Sequence, residues 1–269
     1  MKYSIIIASY NGALNTKECL VSIYKNCKSP EDFECMVIDD GSTDETKSMI
    51  QELQLKYTNL IYIRHAQNKG PIIRRNEGIQ KAKGDFLLFL DNDTVFQGNV
   101  LSQLENKLAT LPDAGIIGMC GIFIPDMAHS YHIHQSNIET DLSVQAVPSY
   151  CMMVSRELIN KNIMFDERIH FMQHEDIDFC LQAQDKNYAV YAVPHIVLIH
   201  KEHGTFDYYK DTYDSDFENN WIYLMKKWQG SKIFSQTIQL PPLKIKESKK
   251  ISGATFFDLL KRSDSDTQP

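Results

Sequence analysis

The chain has 269 residues, 43% of them hydrophobic and 10% aromatic, which supports a substantial core and excludes a disordered polymer. A formal net charge of −7 argues against a general nucleic-acid binder while leaving a nucleotide open as a small ligand. Cys19, Cys27, Cys35, Cys120, Cys151 and Cys180 are scattered without a Cys-x-x-Cys pair, and fit reduced, buried thiols of a cytoplasmic protein.

The N-terminus opens on a strand pattern, Tyr3 to Ser9, and is too short and polar for a leader. No apolar stretch approaches the roughly 20 residues needed to cross a bilayer. Thr16 to Cys27 carries helical spacing through Leu20, Ile23 and Tyr24, and Cys35 to Ile38 reads as a second strand ending in Asp39-Asp40-Gly41-Ser42. Thr43-Asp44-Glu45 opens a helix whose apolar face holds Met49, Leu53 and Leu55. Leu60 to Ile63 makes a third strand, and Pro71 suits the first turn of a helix containing Ile72, Ile73 and Ile79. Phe86 to Leu90, opened by Lys83-Gly84-Asp85 and closed by Asp91-Asn92-Asp93, reads as a fully buried fourth strand. This alternation implies βαβ units and a mostly parallel sheet, hence an α/β fold.

Beyond Asp93 the regularity breaks. Helices are expected over Gly98 to Leu111, Asp176 to Lys186 and Asp216 to Trp228, and strands over Ala114 to Ile124 and Val144 to Ser155. Pro125 to Asp141 reads as a long loop rich in His and Ser. We divide the chain into a nucleotide-binding half, 1–94, an acceptor-binding half, 95–228, and a loosely docked or disordered tail, 229–269. Oligomeric state leaves no mark in the pattern, although the tail offers surface for self-association.

Three strand ends of the first half carry polar clusters: Ser9-Tyr10-Asn11, Asp39-Asp40-Gly41-Ser42 and Asp91-Asn92-Asp93. The C-terminal ends of parallel strands share one rim, so the clusters converge there. Tyr10 can stack on a base, an Asp of the second cluster can accept a pyrimidine N3–H, and Arg75 and Asn76 lie within reach of the same pocket. Each cluster alone reads as a turn; three on one rim read as a nucleotide site. There is no glycine-rich phosphate loop, so a diphosphate would be neutralised largely by Mg²⁺ or Mn²⁺ on the hard oxygens of the Asp91–Asp93 triplet.

The ordered segments resemble a family. Ser4 to Asn11, Val37 to Asp44, Asn68-Lys69-Gly70, Arg75-Asn76-Glu77-Gly78 and Gly84 to Asp93 look like successive motifs of family 2 glycosyltransferases of the GT-A fold. Phe165-Asp-Glu-Arg168, His174-Glu-Asp-Ile-Asp178 and Leu198-Ile-His200 continue the order, which is most similar to the rhamnosyltransferase-like branch. The resemblance implies metal-dependent, inverting transfer of a sugar from a UDP- or dTDP-sugar to a hydroxyl of a glycan, glycolipid or glycoprotein. By position it implies nucleotide contacts from Ser9, Tyr10, Asn11, Asp39, Asp40, Lys69, Gly70, Arg75, Asn76, Asp91 and Asn92. It implies Asp93, Asp91 and His200 as metal ligands, with His203 as substitute for His200, and Asp176 as catalytic base. Two positions depart from the pattern: Ala8 replaces a usual Pro, and Gln182 stands where relatives commonly carry Arg, which puts in doubt an ion pair supporting the acidic cluster.

Other features have blander readings beside sharper ones. His129, His132 and His134 suggest zinc by residue type, but no Cys or acid is spaced to complete a site. The stripe Trp221, Tyr223, Leu224 and Trp228 with Lys226 and Lys227, and the basic run Lys244 to Lys250, suit a peripheral membrane contact as well as a packed helix and a solvated tail. Asp91 at a strand end also resembles the nucleophile of haloacid-dehalogenase-type phosphohydrolases, although two strand–acid units precede it here. A nonenzymatic sugar-nucleotide-binding module on a degenerate transferase scaffold is the remaining alternative.

Overall fold

The computed structural model describes residues 1–126, 129–171, 173–201 and 213–234. In chain order the elements are β1 (Tyr3–Ser9), α1 (Ala13–Asn26), β2 (Phe33–Asp39), α2 (Thr46–Gln54), β3 (Leu60–Arg64), α3 (Pro71–Lys81), β4 (Phe86–Leu90), β5 (Thr94–Phe96), α4 (Val100–Thr110), β6 (Ala114–Gly118), β7 (Gly121–Asp126), β8 (His129–Ile133), β9 (Leu142–Ser143), β10 (Cys151–Ser155), α5 (Arg156–Ile159), α6 (Glu175–Asp185), β11 (Ala189–Ala192), β12 (Leu198–His200) and α7 (Tyr213–Trp228).

Among the described residues, eight strands form one sheet in the order β3-β2-β1-β4-β10-β6-β11-β9. β3, β2, β1 and β4 run parallel, β10 is antiparallel to both β4 and β6, and β11 runs parallel to β6. The strands read as continuous apolar runs because both faces of the sheet are covered. Ile6, Met36, Leu87, Phe89, Met152 and Val154 face a core closed by α3, α6 and α7 through Ile79, Phe179 and Trp221. Their neighbours Ile5, Val37, Leu88, Leu90 and Met153 face a second core closed by α1, α2 and α4 through Leu20, Ile50 and Leu104.

The first half follows the expected elements within a few residues, with Pro71 in the first turn of α3. Leu55 is an exception: it caps α2 outside the buried face of Ile50 and Leu53, and is 88% exposed. The second half differs more. The stretch expected as one strand over 114–124 is split at Met119-Cys120 into β6 and β7, which belong to different sheets. The expected loop from Pro125 contains β8, the partner of β7 in a hairpin. Only 151–155 of the stretch 144–155 extends as a central strand. β5, β11 and β12 were not anticipated as strands, although Tyr188-Ala-Val-Tyr-Ala alternates in the period of a half-buried strand.

One sheet runs through both expected halves, since β10 pairs with β4. Within the segment assigned to the tail, Ile233 and Phe234 pack against the core. Residues 235–269, with the Lys244–Lys250 run, and His203 lie outside the described residues. Trp221, Leu224 and Met225 are buried, so these residues of α7 pack inward, while Tyr223 and Trp228 are half-buried and Lys226 and Lys227 exposed. No helix among the described residues is long and apolar enough to cross a membrane.

Candidate active site

The rim at the C-terminal ends of β1, β2 and β4 carries the three polar clusters, with Ser9 in register with Asp39. Left-handed Asn11, at φ 46°, joins the first two. Its N–H donates to Ser42 Oγ at 2.9 Å, and its Oδ1 accepts the Thr43 N–H at 2.7 Å. Tyr10 is half-buried beside it.

Ser9 and Asn92 turn inward. Asn92 Nδ2 donates to Thr16 Oγ1 at 3.0 Å and to Ser9 Oγ at 3.4 Å, which pins the first turn of α1 to the 91–93 turn. Both side chains are buried, and these bonds shape the rim.

The two adjacent acids differ. Asp40 accepts from Lys69 N–H on both oxygens, from Gly70 N–H at 2.6 Å and from Arg74 Nε at 2.6 Å. These four contacts match the acceptor capacity of a carboxylate, so Asp40 holds the 68–70 turn and the start of α3. The corresponding N–H groups of Lys69 and Gly70 are thereby engaged. Gly70, at φ +90°, supplies the left-handed backbone required ahead of Pro71. Asp39 accepts the Ser42 N–H on Oδ1 at 2.8 Å and the Tyr62 hydroxyl on Oδ2, leaving acceptor capacity on Oδ1. Asn76 does not face the pocket: it is tied to Phe165 N–H, Phe165 O and Glu167 Oε1, each at 2.9 Å.

Asp91, Asp93 and His200 meet at the rim, each offering one ligand atom, and these atoms lie within 4.8 Å of one another. The juxtaposition is produced by β12 pairing antiparallel to β5, which sets His200 opposite Thr94. His200 Nε2 is 3.2 Å from Asp93 Oδ1. Two carboxylate oxygens and one imidazole nitrogen suit Mn²⁺ or Mg²⁺. No other such cluster is present among the described residues.

Arg75 connects this trio to α6. Its guanidinium is buried, donating to Asp91 Oδ1 at 2.8 Å and to Glu175 Oε1 at 2.7 Å. Burial pulls its pKa down, but the two carboxylates more than compensate and raise it. Burial also raises the Asp91 carboxyl; Arg75 opposes that and Asp93 reinforces it.

Asp176 sits in the first turn of α6, half-buried, one residue after Glu175. Burial, reinforced by the Glu175 charge, pushes its carboxyl up to about 7, against N–H donors from Ile177 and Ser149 and the charge of Arg75. Ser149 Oγ also reaches Glu175 Oε1 at 3.2 Å. The doubt raised by Gln182 is answered from α7: Lys227 approaches Asp178 at 2.8 Å, while Gln182 donates to the same carboxylate at 2.7 Å.

Arg74, Ser149 and Lys227 escaped sequence reasoning, because they meet Asp40, Glu175 and Asp178, 26 to 49 positions away. No local pattern marks such pairs.

The comparisons with known proteins agree with this geometry. The chain matches the profile of Glycosyl transferase family 2 over residues 4–162 and belongs to that family. It is 36% identical over 107 residues to a poly(ribitol-phosphate) beta-glucosyltransferase of Bacillus spizizenii, a match covering 39% of this chain and 17% of that relative. The chain spans well under two thirds of the length of the curated relatives it matches. In fold it is similar to the mannosyltransferase PcManGT of Pyrobaculum calidifontis in complex with GDP-Man and Mn²⁺, with a TM-score of 0.63, 17% identity and coverage of 84% of this chain and 63% of that one. It is similar as well to Staphylococcus aureus TarS 1–349 in complex with UDP-GlcNAc, with a TM-score of 0.59, 22% identity and coverage of 87% and 69%. The fold is GT-A, and family membership removes the phosphohydrolase reading of Asp91.

Proposed function

We propose that the protein is a metal-dependent, inverting glycosyltransferase that moves a sugar from a pyrimidine nucleoside diphosphate donor to a hydroxyl of a glycan-type acceptor. The observation carrying this reading is the convergence of Asp91, Asp93 and His200, with Arg75 linking Asp91 to Glu175, the neighbour of Asp176 in the first turn of α6. Asp93, His200 and Asp91 would hold a divalent ion, which when bound would supply Lewis-acid stabilisation of the departing diphosphate. Asp39, with acceptor capacity left on Oδ1, takes the pyrimidine N3–H, and Tyr10 packs on the base. Asp40 acts one step back, by holding the 68–70 turn.

Asp176 removes the proton of the acceptor hydroxyl as that oxygen attacks. A carboxyl raised to about 7 is well matched to this work near neutral pH. Glu175 is buried and bound through Oε1 by Arg75 and Ser149, while the neighbouring Asp176 is half-buried and stands as the base of a single displacement with inversion. Poly(ribitol phosphate) in the name of one relative supports a polyol or glycan acceptor. Six free cysteines, five of them buried, favour a reducing, cytoplasmic setting.

The test is release of the nucleoside diphosphate, UDP or dTDP, from a panel of UDP- and dTDP-sugars, with Mn²⁺ and with chelator. Turnover that disappears with chelator, with Asp93→Ala and with Asp176→Asn is expected. Donor binding without turnover under any condition would instead establish a nonenzymatic binding module.

A further inference from the structure

We propose that Tyr150 is a positioning residue for the metal-binding trio, fixing the ring plane of His200, and that with Ser149 it locks the trio to the base-bearing end of α6. This rests on the reading of Asp91, Asp93 and His200 as metal ligands.

Three contacts converge on one residue. The Tyr150 ring lies nearly parallel on the His200 imidazole, with centroids 4.2 Å apart and planes 13° from parallel. Its carbonyl accepts the Asp91 N–H at 3.0 Å, which holds the start of the acidic turn. Its hydroxyl meets Cys120 Sγ at 2.9 Å, so the far edge of the ring is anchored too. One residue earlier, Ser149 reaches both Glu175 and Asp176. The dipeptide is rooted where β10 begins, with Cys151 in register with Leu90, directly beside the strand that ends at the acidic turn.

His200 needs such a support. It ends a three-residue strand whose central residue, Ile199, is 50% exposed, and of β12 Leu198 is the residue that packs into the core. Rotation of the imidazole about its Cβ–Cγ bond would carry Nε2 away from Asp93. A ring stacked on its face blocks that rotation, while the same residue's carbonyl sets the position of Asp91. Groups that orient a ligand in this way typically change metal affinity by about 10- to 100-fold.

The experiment measures Mn²⁺ affinity by electron paramagnetic resonance, without sugar nucleotide, for wild type, Tyr150→Phe and Tyr150→Leu. Melting in chelator checks that each variant is folded. Tyr150→Phe should stay within about threefold of wild type, and Tyr150→Leu should lose about tenfold or more. If Tyr150→Leu does not fold, Tyr150→Met, of similar volume but without a ring, gives the same comparison. Wild-type affinity in the ringless variant overturns the proposal alone. Equal losses in the Phe and Leu variants overturn it as well, by assigning the effect to the hydroxyl. A wild-type protein that binds no Mn²⁺ overturns the metal reading, and this proposal with it.

Discussion

Replacing the base should stabilise the protein, in a pH-dependent way. Asp176 titrates near 3.8 when unperturbed and is pushed up to about 7 in the fold. Between these values the unfolded chain has released its proton while the native protein holds one, so raising the pH costs native stability across that window. Above it the carboxylate is ionised in both states and the whole penalty is present, with an upper limit of about 4 kcal/mol. The side chain is partly open to solvent and its charge is shared with Glu175 and Arg75, so about 2 kcal/mol is a realistic expectation. Asp176→Asn removes the ionisation and keeps an oxygen for the N–H groups of Ile177 and Ser149. Its melting temperature in chelator should equal that of wild type near pH 4 and exceed it by about 4–8 °C at pH 8. Sugar transfer should meanwhile fall by about 10²- to 10⁴-fold with donor affinity nearly unchanged. A variant less stable than wild type at pH 8, or an advantage independent of pH, would refute the reasoning. It would mean that the amide donors and the helix dipole favour the charge by more than burial opposes it.

The wild-type rate of transfer should rise with pH through about 7, as Asp176 loses its proton; a profile flat from pH 5 to 8 would place the base elsewhere. Asp93→Ala should weaken Mn²⁺ binding measured by calorimetry while the apoprotein keeps its melting temperature within a few degrees, since the residue lies at the rim; an unchanged metal titration removes it as a ligand. Arg75→Gln leaves Glu175 buried without its cation and should cost about 3–5 kcal/mol in urea unfolding; a loss under 1 kcal/mol would show the pair to be dispensable. Gly84→Ala would place a methyl 2.5 Å from the Tyr3 carbonyl carbon and 2.6 Å from Ser4 N, both backbone atoms. It should therefore destabilise by about 2–3 kcal/mol, and a neutral substitution would mean that the 83–85 turn can shift freely.

Much of the first half could be read directly from the sequence, because its order is local. Apolar runs such as Phe86 to Leu90 are continuous where a strand is buried on both faces, and Pro71 and Gly70 mark the start of α3 by their own backbone limits. Asp91 and Asp93 were legible for the same reason: they end a strand whose direction the βαβ alternation determines. The second half was less legible, because its strands are short and their partners distant. Met119-Cys120 turns the chain from one sheet into another, and no periodicity records that change of partner.

Sequence alone thus determined the element order of the first half, the parallel half-sheet and the acids at its rim, since each depends on residues close together in the chain. Only the tertiary structure decided which of those acids remain available. Asp40 is spent on Lys69, Gly70 and Arg74; Ser9 and Asn92 are spent on Thr16; Asn76 is spent on Phe165 and Glu167. It also decided that His200 reaches Asp93, through the pairing of β12 with β5, and that Arg75 spans Asp91 and Glu175. A polar side chain is compatible with many partners, and only the packed arrangement of distant segments selects the one it meets.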